Sequence, residues 1–125
     1  MMLKEIGTYL QSRGIGTLGA NLFLGLMPDK PDSCIVLFEY AGSPPDLHWP
    51  GEYPGLQVRV RDKSYPAGKA KIEQIVRVLH GLHEAVLGGT RYLLVKARGS
   101  PEVLKRDANN RVELFVNFEI IKESD

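Results

Sequence analysis

The sequence predicts a single-domain α+β fold, with two amphipathic helices packed on one face of a mixed, mostly antiparallel sheet of about four to five strands. Three observations carry that expectation. Leu56, Val58 and Val60 alternate with Gln57, Arg59 and Arg61, the period-two pattern of a strand with one face on a core and one face wet. Two other stretches repeat apolar residues at helical spacing. Near the end, RYLLVKAR at 91–98 and RVELFVNFEIIK at 111–122 read as strands around the turn-forming DANN at 107–110, a closing hairpin with a long connection. A chain of 125 residues is one domain and buries on the order of two-thirds of its extended surface.

Taken in order, Met2, Leu3, Ile6, Tyr9 and Leu10 form the stripe of a first helix over 2–13, with Gly14 placed as its C-terminal stop. ANLFLGL at 20–26 and CIVLFEY at 34–40 are short apolar runs around the proline turn MPDKPDS, so a hairpin is the simplest pairing. The alternating strand 56–62 follows. Pro66 opens a second helix whose stripe is Ile72, Ile75, Val76, Leu79 and Leu82, and Gly88-Gly89 ends it. That stripe is expected to cover an apolar sheet face made of Val36, Phe38, Val58, Val60, Leu114 and Val116.

Between strands lies the most unusual segment, AGSPPDLHWPGEYPG at 41–55. Pro44, Pro45, Pro50 and Pro54 fix φ and remove amide donors, so a stiff surface loop is expected in place of a helix or central strand. It carries the only tryptophan, Trp49, with His48 and Tyr53 beside it. Aromatics on a stiff loop lose little entropy when a partner covers them, so the loop reads as a binding device. With the wet face of the next strand, this makes His48, Trp49, Tyr53, Gln57, Arg59 and Arg61 the candidate interface.

Other constellations compete with bland readings. Gly14-Ile15-Gly16-Thr17-Leu18-Gly19 matches G-x-G-x-x-G, but a helix precedes it and a strand follows, the reverse of a dinucleotide site. His80 and His83 at helical spacing lack a third metal ligand, which favours a surface pair near a helix C-terminus. Cys34 is the only cysteine and opens an apolar run, so a buried hydrophobe in a reducing compartment is expected. No serine or cysteine stands in a nucleophile-elbow context, so no active site, cofactor or metal is expected. Arg59, Arg61 and Lys63, with Lys96 and Arg98, could follow a phosphate backbone, but Glu113, Asn117 and Glu119 belong to the same kind of face and cross-strand pairing explains both sets. A small nucleic-acid-binding module using Arg59, Arg61, Lys96 and Arg98 is the alternative function. A net charge of +1 gives no overall steering towards a polyanion. The apolar runs fall far short of the ~20 residues of a membrane span, and MMLKEIGTYLQSRG lacks a signal-peptide core, so a soluble cytoplasmic protein is expected.

The succession NLFLGLMPDKPDSCIVLFEYAGSPPD, YPGLQVRVRDKSYPAGKAKIEQIVRVLHGL and RDANNRVELFVNFEI resembles the minor capsid or tail-terminator proteins of tailed bacteriophages and prophages over nearly the whole of residues 1–125. The closest features are the turn Met27-Pro28-Asp29-Lys30-Pro31-Asp32, the corner at 42–45, the strand 57–61 and Asn117-Phe118. The resemblance implies a structural virion protein without enzymatic activity, assembled in the bacterial host cytoplasm. It also implies a homo-oligomeric ring, generally a hexamer, that caps the tail tube and joins it to the head. Its partners would be tail-tube and head-connector proteins, with no membrane and no tight nucleic-acid binding, though DNA would pass through the ring.

Overall fold

The computed structural model describes residues 1–124. Helix α1 (Met2–Ser12) buries Met2, Leu3, Ile6 and Leu10 of the predicted stripe, with Tyr9 half-buried beside them, and Gly14 at φ +74 turns the chain out of it. Strand β1 (Leu22–Leu24) follows, then β2 (Cys34–Ser43), β3 (Gly51–Asp62), helix α2 (Tyr65–Leu79), β4 (Leu82–Leu87), β5 (Thr90–Ala97), β6 (Glu102–Arg106) and β7 (Val112–Glu123). The sheet has seven strands, more than expected, in the order β1-β2-β3-β7-β5-β4, with β6 continuing the β5 edge of β7. Only β1 and β2 run parallel. Both helices pack on the concave face, α2 against β3, β7 and β5, and α1 against β1, β2 and β4.

The core is assembled by register. Val58 lies opposite Leu37 and Val116, Val60 opposite Ile35 and Leu114, and Leu56 opposite Phe118, so these residues share the face under the helices. Ile72, Ile75 and Leu79 of α2 close over it, each fully buried. Ser64 caps α2 by accepting the Ala67 N–H at 3.2 Å, with Pro66 in the first turn as the sequence suggests.

Four expectations are corrected. The runs at 20–26 and 34–40 do not form a hairpin: residues 25–33 loop back so that β1 and β2 pair in parallel, Leu22 opposite Ile35. Val36 and Phe38 belong to the outer face, opposite Arg59 and Gln57, and Ile35 and Leu37 take the core positions assigned to them; in an all-apolar run, alternation cannot set the face. The second helix does not reach Gly88-Gly89. It ends at Leu79, where His80 turns extended and Gly81 takes φ +84, and Leu82–Leu87 is a strand. Gly88 and Gly89, at φ +57 and +85, are then the two-residue turn of the β4–β5 hairpin, a conformation that other residues adopt only with strain. Finally, the proline-rich loop is shorter than expected: β2 runs to Ser43 and β3 starts at Gly51, leaving 44–50 as the tip of a long hairpin arm. Pro54 is accommodated in β3 beside the irregularity between Tyr40 and Ser43, where no ladder amide is needed.

The sheet's lateral edges are blunted. β1 is three residues long, and β4 is kinked by Glu84 at φ +47.

Candidate functional site

The β2–β3 arm has a built interior. Asp46 accepts the His48 backbone N–H and the Tyr53 hydroxyl through its two carboxylate oxygens, each at 2.8 Å. Trp49 Nε1 donates to the same Tyr53 hydroxyl at 3.2 Å, and the two rings meet edge to face at 6.5 Å. Trp49 lies over Gly51, where any Cβ would fall about 2.1 Å from the indole, so Gly51 is the residue that lets the ring lie flat on the strand. Trp49 and Tyr53 are thus half-buried within their own loop, neither in the main core nor fully presented. His48 is exposed, and beside it Leu47 stands 92 % exposed at the tip.

The Asp46 carboxyl is held below the usual carboxylate range, first by the His48 amide and then by the Tyr53 hydroxyl. A group with a depressed folded value contributes its stabilisation fully above the unfolded value of about 4 and loses it as the pH falls through the lower folded value. The brace should therefore hold at neutral pH and loosen on acidification below about pH 4. Trp49 emission reports this directly, and Asp46→Asn should show the loosened spectrum already at pH 7. An acid titration of the wild-type emission with no change over that range would show that Asp46 does not hold the loop.

On the outer sheet face, Gln57 Nε2 donates to Asn117 Oδ1 at 3.0 Å and Arg59 Nε donates to Gln57 Oε1 at 2.7 Å. The Arg59 guanidinium lies 4.7 Å over the Phe38 ring. Gln57 and Arg59 are half-buried and locked to one another, a polar surface held rigid by its own bonds.

Arg61 does not belong to that wet face. It is 2 % exposed, and its guanidinium donates to the carbonyls of Asp29, Pro31 and Asp32 at 3.2, 2.7 and 3.3 Å. The 25–33 loop folds over this end of the outer face, so the sheet is covered on both sides there. Period two predicts the face a side chain takes but cannot see a loop returning from elsewhere. Arg111, a residue the sequence did not single out, grips the same loop: it pairs with Asp107 at 2.9 Å, Asp32 at 3.3 Å and Asp29 at 3.4 Å. Its spacing of four from Asp107 across the DANN turn was the available signal.

The remaining candidates separate. Arg98 pairs with Glu119 at 3.5 Å, and Lys96 lies directly opposite Glu119 in the ladder. With Arg61 buried, the basic set Arg59, Arg61, Lys96 and Arg98 does not form one open patch. His80 and His83 are not at helical spacing: His80 accepts the Ala97 N–H at 2.9 Å, and His83 stands on β4 with Nδ1 3.0 Å from the Gly81 carbonyl. Among the described residues no group of His, Cys, Asp and Glu could hold a metal ion, and no helix is long and apolar enough to cross a membrane. Cys34 is buried, and its burial, the leading cause, raises the thiol pKa. The glycine run 14–19 joins α1 to β1, so it does not lead from a strand into a helix as a dinucleotide site requires.

Together these features define a small α+β domain carrying a braced hairpin arm and a self-bonded polar sheet face. Comparison with known proteins places the class. Residues 9–124 match the bacteriophage tail terminator protein family, and the chain belongs to it. It is accordingly a structural component of the phage virion. A chain in the solved structure of the virion of a native gene transfer agent particle shares the fold, with a TM-score of 0.71 at 15% identity over 96% of this chain and 94% of that one. No curated protein matches the chain significantly.

Proposed function

We propose that this protein is the ring subunit, six to a ring in the manner of its family, that caps the tail tube at its head-proximal end, stops its growth and gives the head its joining surface. The family match across residues 9–124 is the observation that carries this reading. The physical features agree with it. A closed ring needs one patch on each subunit to meet a different patch on the next. The tip residues His48 and Leu47 with their brace Trp49 and Tyr53 make one surface of the kind such a contact uses; the face of Gln57 and Arg59, which Arg61 supports from within, is a separate polar surface open to a further partner. A net charge of +1, with Arg98 and Arg61 already engaged, suits a passage through which DNA moves without being held.

The test is tube assembly with and without the protein. Tail tubes grown in its presence should carry a ring at one end and stop at a uniform length, and native mass spectrometry of the released cap should give one closed stoichiometry. Binding along the tube walls, or tubes that grow on past the protein, would overturn the proposal. Tight duplex-DNA binding that falls steeply with salt would favour the nucleic-acid reading instead.

A further inference from the structure

Leu47 is the most exposed large apolar side chain of the described residues, yet its loop is braced by the bonds among Asp46, the His48 amide, Trp49 and Tyr53. Such a side chain can be buried by a partner with little loss of entropy, because the backbone around it is ordered beforehand. The same molecule carries a socket of matching character. Between α1 and β4 runs an open groove of about 470 Å³ whose lining includes Tyr9, Thr8, Val86, Leu87 and Lys4. Val86 is 68 % exposed there. Glu5, which also borders the groove, turns its carboxylate inward to accept the Tyr92 and Thr90 hydroxyls, each at 2.7 Å. Lys4 is exposed at the rim and places a positive charge there. Next to Leu47, Asp46 is held anionic by the bonds that brace the loop.

We infer that the hairpin tip of one copy docks in the α1–β4 groove of the next, Leu47 against Val86 and Tyr9, with Asp46 facing Lys4. Leu47 and Val86 are both exposed in the single chain, so the tip does not fill the groove of its own copy. A contact between two unlike patches of identical subunits is heterologous, and heterologous contacts generate rings when the rotation closes. In this contact Trp49 is a positioning residue behind the knob and Leu47 is the anchor. The inference rests on the ring reading above, and the experiment separates the two.

The test is disulfide trapping with native mass spectrometry. Leu47→Cys/Val86→Cys, both at exposed positions, should give on oxidation a ladder of cross-linked species up to the closed oligomer, while Leu47→Cys or Val86→Cys alone gives none. Leu47→Asp should keep the wild-type melting temperature and weaken self-association at least about tenfold. A wild-type oligomer whose double-cysteine variant gives no ladder would overturn the contact and leave the ring standing. Cross-linking by Leu47→Cys alone would mean tip meets tip and would overturn it as well. Loss of tail-tube binding by Leu47→Asp with self-association intact would assign the tip to a tail protein instead. A wild type that stays monomeric both alone and on tail tubes would remove the ring and the contact together.

Discussion

Ile75→Ala is expected to destabilise the fold by about 2–5 kcal/mol, which at about 4 °C per kcal/mol corresponds to a fall in melting temperature of roughly 8–20 °C. Ile75 is fully buried with Ile72 and Leu79 against the sheet face of Val58, Val60, Leu114 and Val116. The truncation removes the transfer free energy of the lost methyl and methylene groups and leaves a void that a helix pinned by Ser64 can close only in part. Thermal and urea unfolding measure the loss, and a midpoint shifted by less than about 1 kcal/mol would take Ile75 out of the core.

The second large effect is expected at Arg61. Arg61→Met keeps the apolar stem but removes all three donations to the 25–33 loop, leaving the carbonyls of Asp29, Pro31 and Asp32 without this partner. Hydrogen bonds to a charged group contribute about 1.5–3 kcal/mol, so a loss of about 3 kcal/mol is expected. Arg61→Glu should do worse, because it sets a carboxylate against carbonyl oxygens in a buried site. Arg59→Glu is the control: its side chain is half-buried on the open face, and reversal there should leave the fold standing. Equal melting curves for Arg61→Glu and Arg59→Glu would show that the guanidinium of Arg61 faces solvent after all.

Arg61 also marks where sequence reading stops. Its place in an alternating strand is legible, and so are the first helix stripe, the second as far as Leu79, the Ser64–Pro66 helix start and the DANN turn, because each is set by local periodicity or local backbone chemistry. The 25–33 loop that buries Arg61 is a contact with a segment about 30 residues away, which no local pattern announces. The same limit explains the face error at Val36 and Phe38, since CIVLFEY is apolar throughout and only the pairing with β3 decides its register. Gly88-Gly89 is a hairpin turn and not the helix stop expected of it, because LHEAVL before it, with apolar residues at 82, 85, 86 and 87, carries no period-two signal to set it apart from the helix stripe. At the site, composition drew attention to Trp49 and Tyr53. The structure makes them the loop's internal support and leaves the lone leucine between Asp46 and His48 as the side chain on offer.

The brace of Asp46, Trp49 and Tyr53 has a kinetic consequence. A tip that must order itself on contact binds in two stages, and its observed rate levels off with concentration as the ordering step becomes limiting. A tip already ordered meets its partner in one stage. Association through this arm should therefore stay first order in partner concentration, within the ordinary range of about 10⁵–10⁷ M⁻¹s⁻¹ for docking two specific patches, while differences between variants appear in how long the contact lasts.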